Sequence, residues 1–215
     1  METFVLDLPD NMTVASFELM NGHYITFDEY LEMDVECASL EWVDGKVIGF
    51  MANNLQHQRI IGFLEKVMGL FAEIHDLGEV VQAGYAMKLE VQKRGREPDL
   101  VFVAKENAET LTHKYLNGAA DIAVEIVSPE SVERDHNIKF GEYEKAGIKE
   151  YWLIDPQAKR AEFYRLGEEG FYRLVEASDG VFRSEVLPEF FLRVEWLWRE
   201  RLPTLEALKE LNLIQ

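Results

Sequence analysis

The chain contains a single cysteine, no long apolar run and far fewer basic than acidic residues. Because Cys37 is alone, an intrachain disulfide and a cluster of thiolate metal ligands within one chain are both excluded. We expect Cys37 to be a small buried hydrophobe. No apolar run is long enough to cross a bilayer, and the N-terminal stretch METFVLDLPDNMT is acidic where a secretory signal is basic. These absences predict a cytoplasmic protein with no membrane contact.

The shortage of basic charge limits the possible partners. The formal net charge of -18 repels a polyanion at long range, so binding to nucleic acid requires a local exception. The stretch MKLEVQKRGRE, with Lys88, Lys93, Arg94 and Arg96, is one candidate for such a basic patch. A solvated hairpin tip explains the same cluster equally well.

Length and composition favour one domain. A chain of 215 residues with 47% hydrophobic residues can bury a sizeable core, and no internal repeat or low-complexity stretch is visible. We therefore predict a single domain over residues 1–215, with its core at about 38–176 and further strands and a helix at 177–215.

Hydrophobic spacing predicts the order of helices and strands. A long amphipathic helix over 56–75 is capped by Asn53 or Asn54, and a hairpin turns at Asp44-Gly45. The strand-like runs are EVVQAGYAMKLEV, PDLVFVA, DIAVEIVSP and KEYWLIDP, and a helix over 131–147 precedes the last of them. The resulting order of helix, three strands, helix and strand, with an N-terminal hairpin and a C-terminal β meander, predicts an α/β fold (α+β) built on a mixed sheet.

A glutamate interrupts one of the most apolar of these runs. In DIAVEIVSP, Glu125 projects to the same strand face as Ala123 and Val127, and burying its carboxylate is costly without a partner. Asp99 opens the neighbouring run directly after Pro98. If the two strands pair, the carboxylates converge at one end of the sheet, where Mg²⁺ would relieve their repulsion.

Several motifs in this order resemble a known family. The stretches REPDLVFV, IAVEIVSP and ERDHNIKFGEYEKAGIKEYWLID look like the Uma-type bacterial family of restriction-endonuclease-like domains in the PD-(D/E)XK nuclease superfamily. The resemblance extends from LEWVDGKV to SEVLPEF and covers roughly residues 25 to 195. It implies a restriction-endonuclease-like core and an endonuclease that hydrolyses DNA with Mg²⁺, for which Mn²⁺ is a substitute. We also expect a homodimer, because cutting both strands of a duplex is most simply done by a two-fold dimer whose symmetry matches that of DNA.

The resemblance carries specific roles onto this chain. It implies that Asp99 and Glu125 are the metal-binding acids and that the main-chain carbonyl of Ile126 is a further ligand. The superfamily lysine two positions after the acid is replaced here by Val127, and Lys139 on the following helix matches the lysine of the resembled family.

Glu41, on the preceding hairpin, matches a recurrent glutamate of the family and would be a third carboxylate at the site. His57 and Asp135 are peripheral candidates.

Each of these residues also has a purely structural interpretation. Asp99 can cap a turn, Glu125 can form a structural ion pair with Lys139, and Lys139 can pair with Asp135 on a helix surface. Glu41 can be solvated. The corresponding functional alternatives are a catalytically degraded nuclease fold that binds nucleic acid or protein, or a hydrolase of another phosphate ester or a glycoside.

Overall fold

The structure is a computed structural model that describes residues 16–19, 24–33, 39–50 and 54–215. Cys37 and the acidic stretch 1–13 lie outside the described residues, so the predictions made for them are not addressed. Within the described ranges, no helix is both long enough and apolar enough to cross a membrane.

The secondary structure follows the predicted order. The helices are α1 (Phe27–Leu31), α2 (Leu55–Ile74), α3 (Phe140–Ala146) and α4 (Thr204–Glu210). The strands are β1 (Ser16–Leu19), β2 (Ser39–Val43), β3 (Lys46–Phe50), β4 (Gly78–Gln82), β5 (Ala86–Leu89), β6 (Arg94–Arg96), β7 (Leu100–Ala104), β8 (Tyr115–Asn117), β9 (Ile122–Ile126), β10 (Glu150–Asp155), β11 (Arg160–Leu166), β12 (Tyr172–Val175), β13 (Val181–Arg183) and β14 (Phe191–Arg193). A π-helical turn over Arg134–Lys139 leads directly into α3.

The core sheet has the strand order β12-β11-β10-β9-β7-β4. Strands β9 and β10 are parallel and α3 connects them, while the other pairs in this sheet are antiparallel. With α2 preceding β4, β7 and β9, this arrangement confirms the predicted α/β core of helix, three strands, helix and strand.

A second sheet was not distinguished from the first by the sequence. It has the order β1-β3-β2-β6-β5-β8 and contains the N-terminal hairpin. The run 79–91, predicted as one strand-like segment, divides into β4 of the core sheet and β5 of the second sheet. Gly84 lies in the bend between them. Its φ of +94° is a backbone conformation that glycine adopts without a steric penalty.

The long helix α2 confirms the clearest sequence prediction. Its N-cap is Asn54, whose side-chain oxygen accepts a hydrogen bond from the His57 N–H at 3.0 Å. The buried face of α2 packs on Leu100, Phe102 and Val124 of the core sheet. The opposite face of the sheet packs against Tyr143 of α3 and the strands of the second sheet.

The turn between β2 and β3 is also as predicted. Asp44 and Gly45 have φ values of 50° and 86°, the pair of positive angles that a tight hairpin of this type needs. This hairpin places Glu41 near the middle of β2.

The C-terminal meander is shorter than predicted. Strands β11 and β12 extend the core sheet, but β13 pairs with β14 in a separate two-stranded sheet. The reason is packing, since Phe182 of β13 stacks on Phe163 with ring centroids 3.8 Å apart and lies edge-on to Trp152. Phe190 and Trp196 are fully buried in the same core, so core packing accounts for these aromatic residues.

Candidate active site

Glu125 lies at the centre of the candidate site because of the strand pairing around it. In the antiparallel pair of β7 and β9, Leu100 is opposite Val124 and Val101 is opposite Ala123. Continuing this register by one residue sets Asp99 opposite Glu125. Glu125 is 2% exposed, so its carboxylate is removed from water and needs partners within the protein.

Those partners come from the π-helical turn and α3. Lys139 Nζ is 2.7 Å from Glu125 Oε1, and the Tyr143 hydroxyl donates to the same oxygen at 2.8 Å. Lys139 and Tyr143 are four residues apart, one helical turn, so both side chains reach the sheet from the same helix face. Lys139 is 1% exposed, which contradicts its interpretation as a residue of a surface salt bridge.

Glu41 also contacts Lys139, from the second sheet. Its Oε1 is 2.9 Å from Lys139 Nζ, and its Oε2 accepts from Arg96 at 2.6 Å. Glu41 is buried, so the interpretation as a solvated hairpin residue is wrong. Each Glu41 oxygen contacts one cation, so this carboxylate anchors Lys139, and its predicted role as a third metal ligand would compete with these two ion pairs.

The contacts continue outward through β6 and α3. The Arg96 guanidinium forms two hydrogen bonds with Glu142, of 2.7 and 2.8 Å, and Arg94 Nε is 2.7 Å from the same carboxylate. We call the run Lys139, Glu41, Arg96, Glu142 and Arg94 the internal ion network.

The internal ion network removes the basic patch suggested by the sequence. Arg96 is buried and Arg94 is bound to Glu142 and Asp44, while Lys88 is 2.8 Å from Glu90. These three cations are therefore engaged within the protein. Lys93 is the exposed member of the cluster and lies at the tip of the β5–β6 hairpin, so the solvated-tip interpretation fits Lys93, whereas the four cations do not form one surface for nucleic acid.

Asp99 is held by the main chain and by a histidine. Its Oδ2 accepts from the Ile126 amide at 2.7 Å and lies 3.1 Å from His57 Nε2. His57 is in the first turn of α2, and its Nδ1 is buried without a hydrogen-bond partner. The contact that the structure gives for Ile126 is thus made by its N–H, whereas the sequence prediction concerned its carbonyl.

Asp135 lies near the site without forming the predicted helical pair. It is buried, its Oδ1 is 3.1 Å from Arg134 Nε, and its carbonyl oxygen accepts from the Tyr151 hydroxyl at 2.9 Å. Asp135 thus adds a negative charge beside Glu125 while its backbone ties the π-helical turn to β10.

The two glutamates around Lys139 differ in electrostatics. Burial raises the pKa of Glu125 most strongly. The Lys139 charge lowers this pKa, whereas the charges of Asp135 and Asp99 raise it, and the resulting value is about 8. Burial would also raise the pKa of Glu41, but Lys139, Arg96 and Arg134 overcome it and hold the value at about 2. Burial thus favours the neutral form of Glu125, whereas the surrounding cations favour the ionised form of Glu41.

The ammonium of Lys139 stays charged. Burial alone would lower its pKa, but the neighbouring carboxylates Glu125, Glu41 and Asp135 together raise it above the ordinary value. A lysine with a raised pKa can supply a positive charge but is a poor proton acceptor.

The donor set can be compared with the needs of a divalent cation. Among the described residues, no group of three or more His, Cys, Asp or Glu side chains gathers to hold a metal. Mg²⁺ needs only one or two carboxylates, with water as its other ligands. Asp99 Oδ1 and Glu125 Oε2 accept no hydrogen bond from the described residues, so each offers an oxygen of the right type. The pair fits Mg²⁺ on this ground.

Three residues of the site were missed by sequence reasoning. Tyr143 could have been found from its spacing of four residues after Lys139. Arg96 was noticed only as part of a basic cluster, and the strand alternation that turns it inward depends on the short strand β6. The sequence contains no indication of Glu142, because it has the pattern of an ordinary exposed acid on a helix. Only the folded structure brings Arg94 and Arg96 to its carboxylate.

The order of helices and strands in the core is that of a restriction-endonuclease-like fold. The chain belongs to the family Uma2, described as "Putative restriction endonuclease", whose model matches residues 27–195. The fold is also similar to the crystal structure of a putative nuclease belonging to DUF820 from Anabaena variabilis ATCC 29413, with 21% identity and a TM-score of 0.65. The match covers 81% of this chain and 97% of that one. None of the curated proteins matches this chain.

Proposed function

We propose that the protein is a metal-dependent endonuclease that hydrolyses DNA phosphodiester bonds, acting in the cytoplasm as a homodimer. The observation that carries the proposal is the position of Asp99 opposite Glu125, with Lys139 Nζ 2.7 Å from Glu125. Family membership supports a nucleic-acid substrate.

The proposed roles follow from the contacts. Asp99 and Glu125 would hold Mg²⁺ or Mn²⁺, which when bound supplies positive charge at the scissile phosphate and lowers the pKa of a water. The Ile126 amide and His57 fix Asp99 Oδ2 and so orient its other oxygen. Lys139, held charged between Glu41 and Glu125, would orient the attacking water or neutralise charge on the phosphate.

A second candidate is a catalytically degraded nuclease fold that binds nucleic acid or protein. The observation that favours it is the engagement of Lys139 by two carboxylates in a site where Glu41, Glu125 and Lys139 are each at most 2% exposed. Val127, where the superfamily carries a lysine, is buried in an apolar cluster.

Calorimetry with Mn²⁺ and plasmid cleavage distinguish the two candidates. We expect Asp99→Asn and Glu125→Gln to lose most metal affinity and all cleavage. Lys139→Met, which keeps an apolar stem of similar volume, should retain metal binding and reduce cleavage by about 100-fold or more. Adding Val127→Lys should restore part of that activity, because residue 127 faces the same side of β9 as Glu125.

Exposed Glu130 provides the control, since Glu130→Gln also removes one carboxylate. The endonuclease proposal fails if wild type and Lys139→Met cleave equally or if Asp99→Asn binds metal like wild type. Metal binding without cleavage by wild type would favour the degraded nuclease.

A further inference from the structure

A surface cleft on α2 lies outside the candidate active site. Its volume is about 440 Å³, and its walls come from α2 and from the segment that leads into α4. Arg59 and Lys66 line it from α2 and Arg201 from the other side. Gly62 lies between the two α2 cations in the sequence, and the Lys66 ammonium would be 3.8 Å from a Cβ placed on Gly62. We call this feature the α2 cleft.

The cations of the α2 cleft have no partners within the described part of the chain. Arg59, Lys66 and Arg201 form no ion pair or hydrogen bond there, and all three are exposed. Among the residues that the structure describes, Glu200 is the one acidic residue that lines the α2 cleft. The neighbouring Arg199 differs, since its guanidinium contacts both Glu195 and Glu206.

This concentration of unpaired positive charge is notable in a chain of net charge -18. Most cations of the basic stretch that the sequence suggested are paired, either in the internal ion network or with Asp44 and Glu90. The acidic protein repels a polyanion at long range, so a polyanion can bind only where the surface is locally basic. The α2 cleft is such a place.

Arg59 and Lys66 lie on one face of α2, and His57 lies on the opposite face. At about 100° per residue, Arg59 and Lys66 are about 200° and 180° around the helix from His57, which contacts Asp99. The Cα atoms of Arg59 and Lys66 are about 10 Å apart along the helix axis.

We propose that the α2 cleft binds the backbone phosphates of a polynucleotide strand. The assignment rests on the proposed nuclease function and adds a surface that contacts the substrate outside the candidate active site. Three unpaired cations suit phosphates contacted without regard to base sequence.

The test is binding of a short fluorescein-labelled DNA duplex, and of its single strand, measured by anisotropy in EDTA at several salt concentrations. The cleft variant combines Arg59→Gln, Lys66→Gln and Arg201→Gln. The control variant combines Lys145→Gln, Lys159→Gln and Lys209→Gln, which removes the same charge from exposed lysines without partners among the described residues. Thermal unfolding followed by circular dichroism checks that both variants fold.

We expect the cleft variant to lose about tenfold or more in affinity, and the slope of log affinity against log salt to fall by about 2 to 3. The control variant should change affinity less than about threefold. Equal losses in the two variants, or no DNA binding by wild type, would overturn the assignment.

Two further arms separate related outcomes. If ADP or inorganic phosphate binds the α2 cleft in calorimetry while the cleft variant binds DNA like the control variant, the phosphate comes from a small molecule and the polynucleotide assignment is rejected. If wild type binds DNA through the α2 cleft but cleaves nothing with Mg²⁺ or Mn²⁺, the assignment stands and the endonuclease proposal fails. If the cleft variant cleaves DNA with an unchanged KM, the assignment of the α2 cleft is rejected while the endonuclease proposal stands.

Discussion

At the scale of single residues, Glu125 combines a buried position with a pKa raised to about 8. The unfolded chain ionises this group at about 4.5, so between these values the folded protein binds more protons than the unfolded one. Stability contributed by the protonated group is present at low pH and is lost as pH rises towards 8.

This difference predicts how Glu125→Gln changes the pH dependence of stability. The free energy of unfolding of wild type should fall relative to that of the variant between pH 5 and 8, by at most about 1.4 kcal/mol per pH unit for one proton. Urea denaturation across this range measures both curves. The exposed control Glu130→Gln should run parallel to wild type, and parallel curves for Glu125→Gln would contradict the raised pKa.

The sequence reached the central residues of the site through paired observations. A carboxylate inside an apolar strand required a partner, and the spacing of motifs indicated Asp99, Glu41 and Lys139 as candidates. What it could not provide was the state of each group, because the burial of Glu41 and the double engagement of Lys139 depend on contacts between two sheets. The roles of these residues remain proposals.

At the scale of elements, α3 ends at a glycine in the left-handed conformation. Gly147 adopts φ +85°, and a Cβ built on it would meet nothing within 4 Å. The cost of a side chain at this position would therefore come from the backbone conformation alone.

We predict that Gly147→Ala destabilises the protein by about 1 to 2 kcal/mol. The matched control is Gly69→Ala inside α2, where a Cβ would meet only ordinary contacts of 4.0 Å and alanine should stabilise the helix by up to about 1 kcal/mol. Urea denaturation of the two variants should give changes of opposite sign. A neutral Gly147→Ala would show that the C-terminus of α3 does not need the left-handed conformation.

The elements that were predicted well have strong local signals, such as the Asn54 cap and apolar spacing of α2 and the Asp44-Gly45 turn. The π-helical turn before α3 was missed because a pattern with a period of 3.6 residues does not register hydrogen bonds to the fifth residue. The interpretation of Asp135 and Lys139 as an ion pair on one helical turn was wrong for the same region, since Asp135 contacts Arg134 and Lys139 contacts Glu125 and Glu41.

At the scale of the whole molecule, the C-terminal segment belongs to the main hydrophobic core. Phe182, Phe190 and Trp196 pack in the same cluster as Phe63 of α2 and Trp152 of β10. This shared core joins the C-terminal segment to α2 and the core sheet, and the single domain over residues 1–215 stays a prediction.

We expect the full chain to unfold in one cooperative transition and a truncation after residue 176 not to fold. Each large buried side chain that the truncation removes or exposes contributes about 1.5 to 3 kcal/mol, so the loss exceeds the stability of an ordinary domain. Near-ultraviolet circular dichroism and calorimetry provide the measurement. A chain lacking only the exposed Ile214 and Gln215 is the control, and two separate transitions in the full chain would contradict a single domain.

The internal ion network gives the molecule a distinctive response to heat. The hydration of charged groups becomes less favourable as temperature rises, so the cost of keeping Glu41, Arg96 and Glu142 away from water decreases on warming. Hydrophobic stabilisation per unit area levels off over the same range. The network that joins the second sheet to α3, including the contact of Glu41 with Lys139, therefore contributes a larger share of the stability at high temperature than at low temperature.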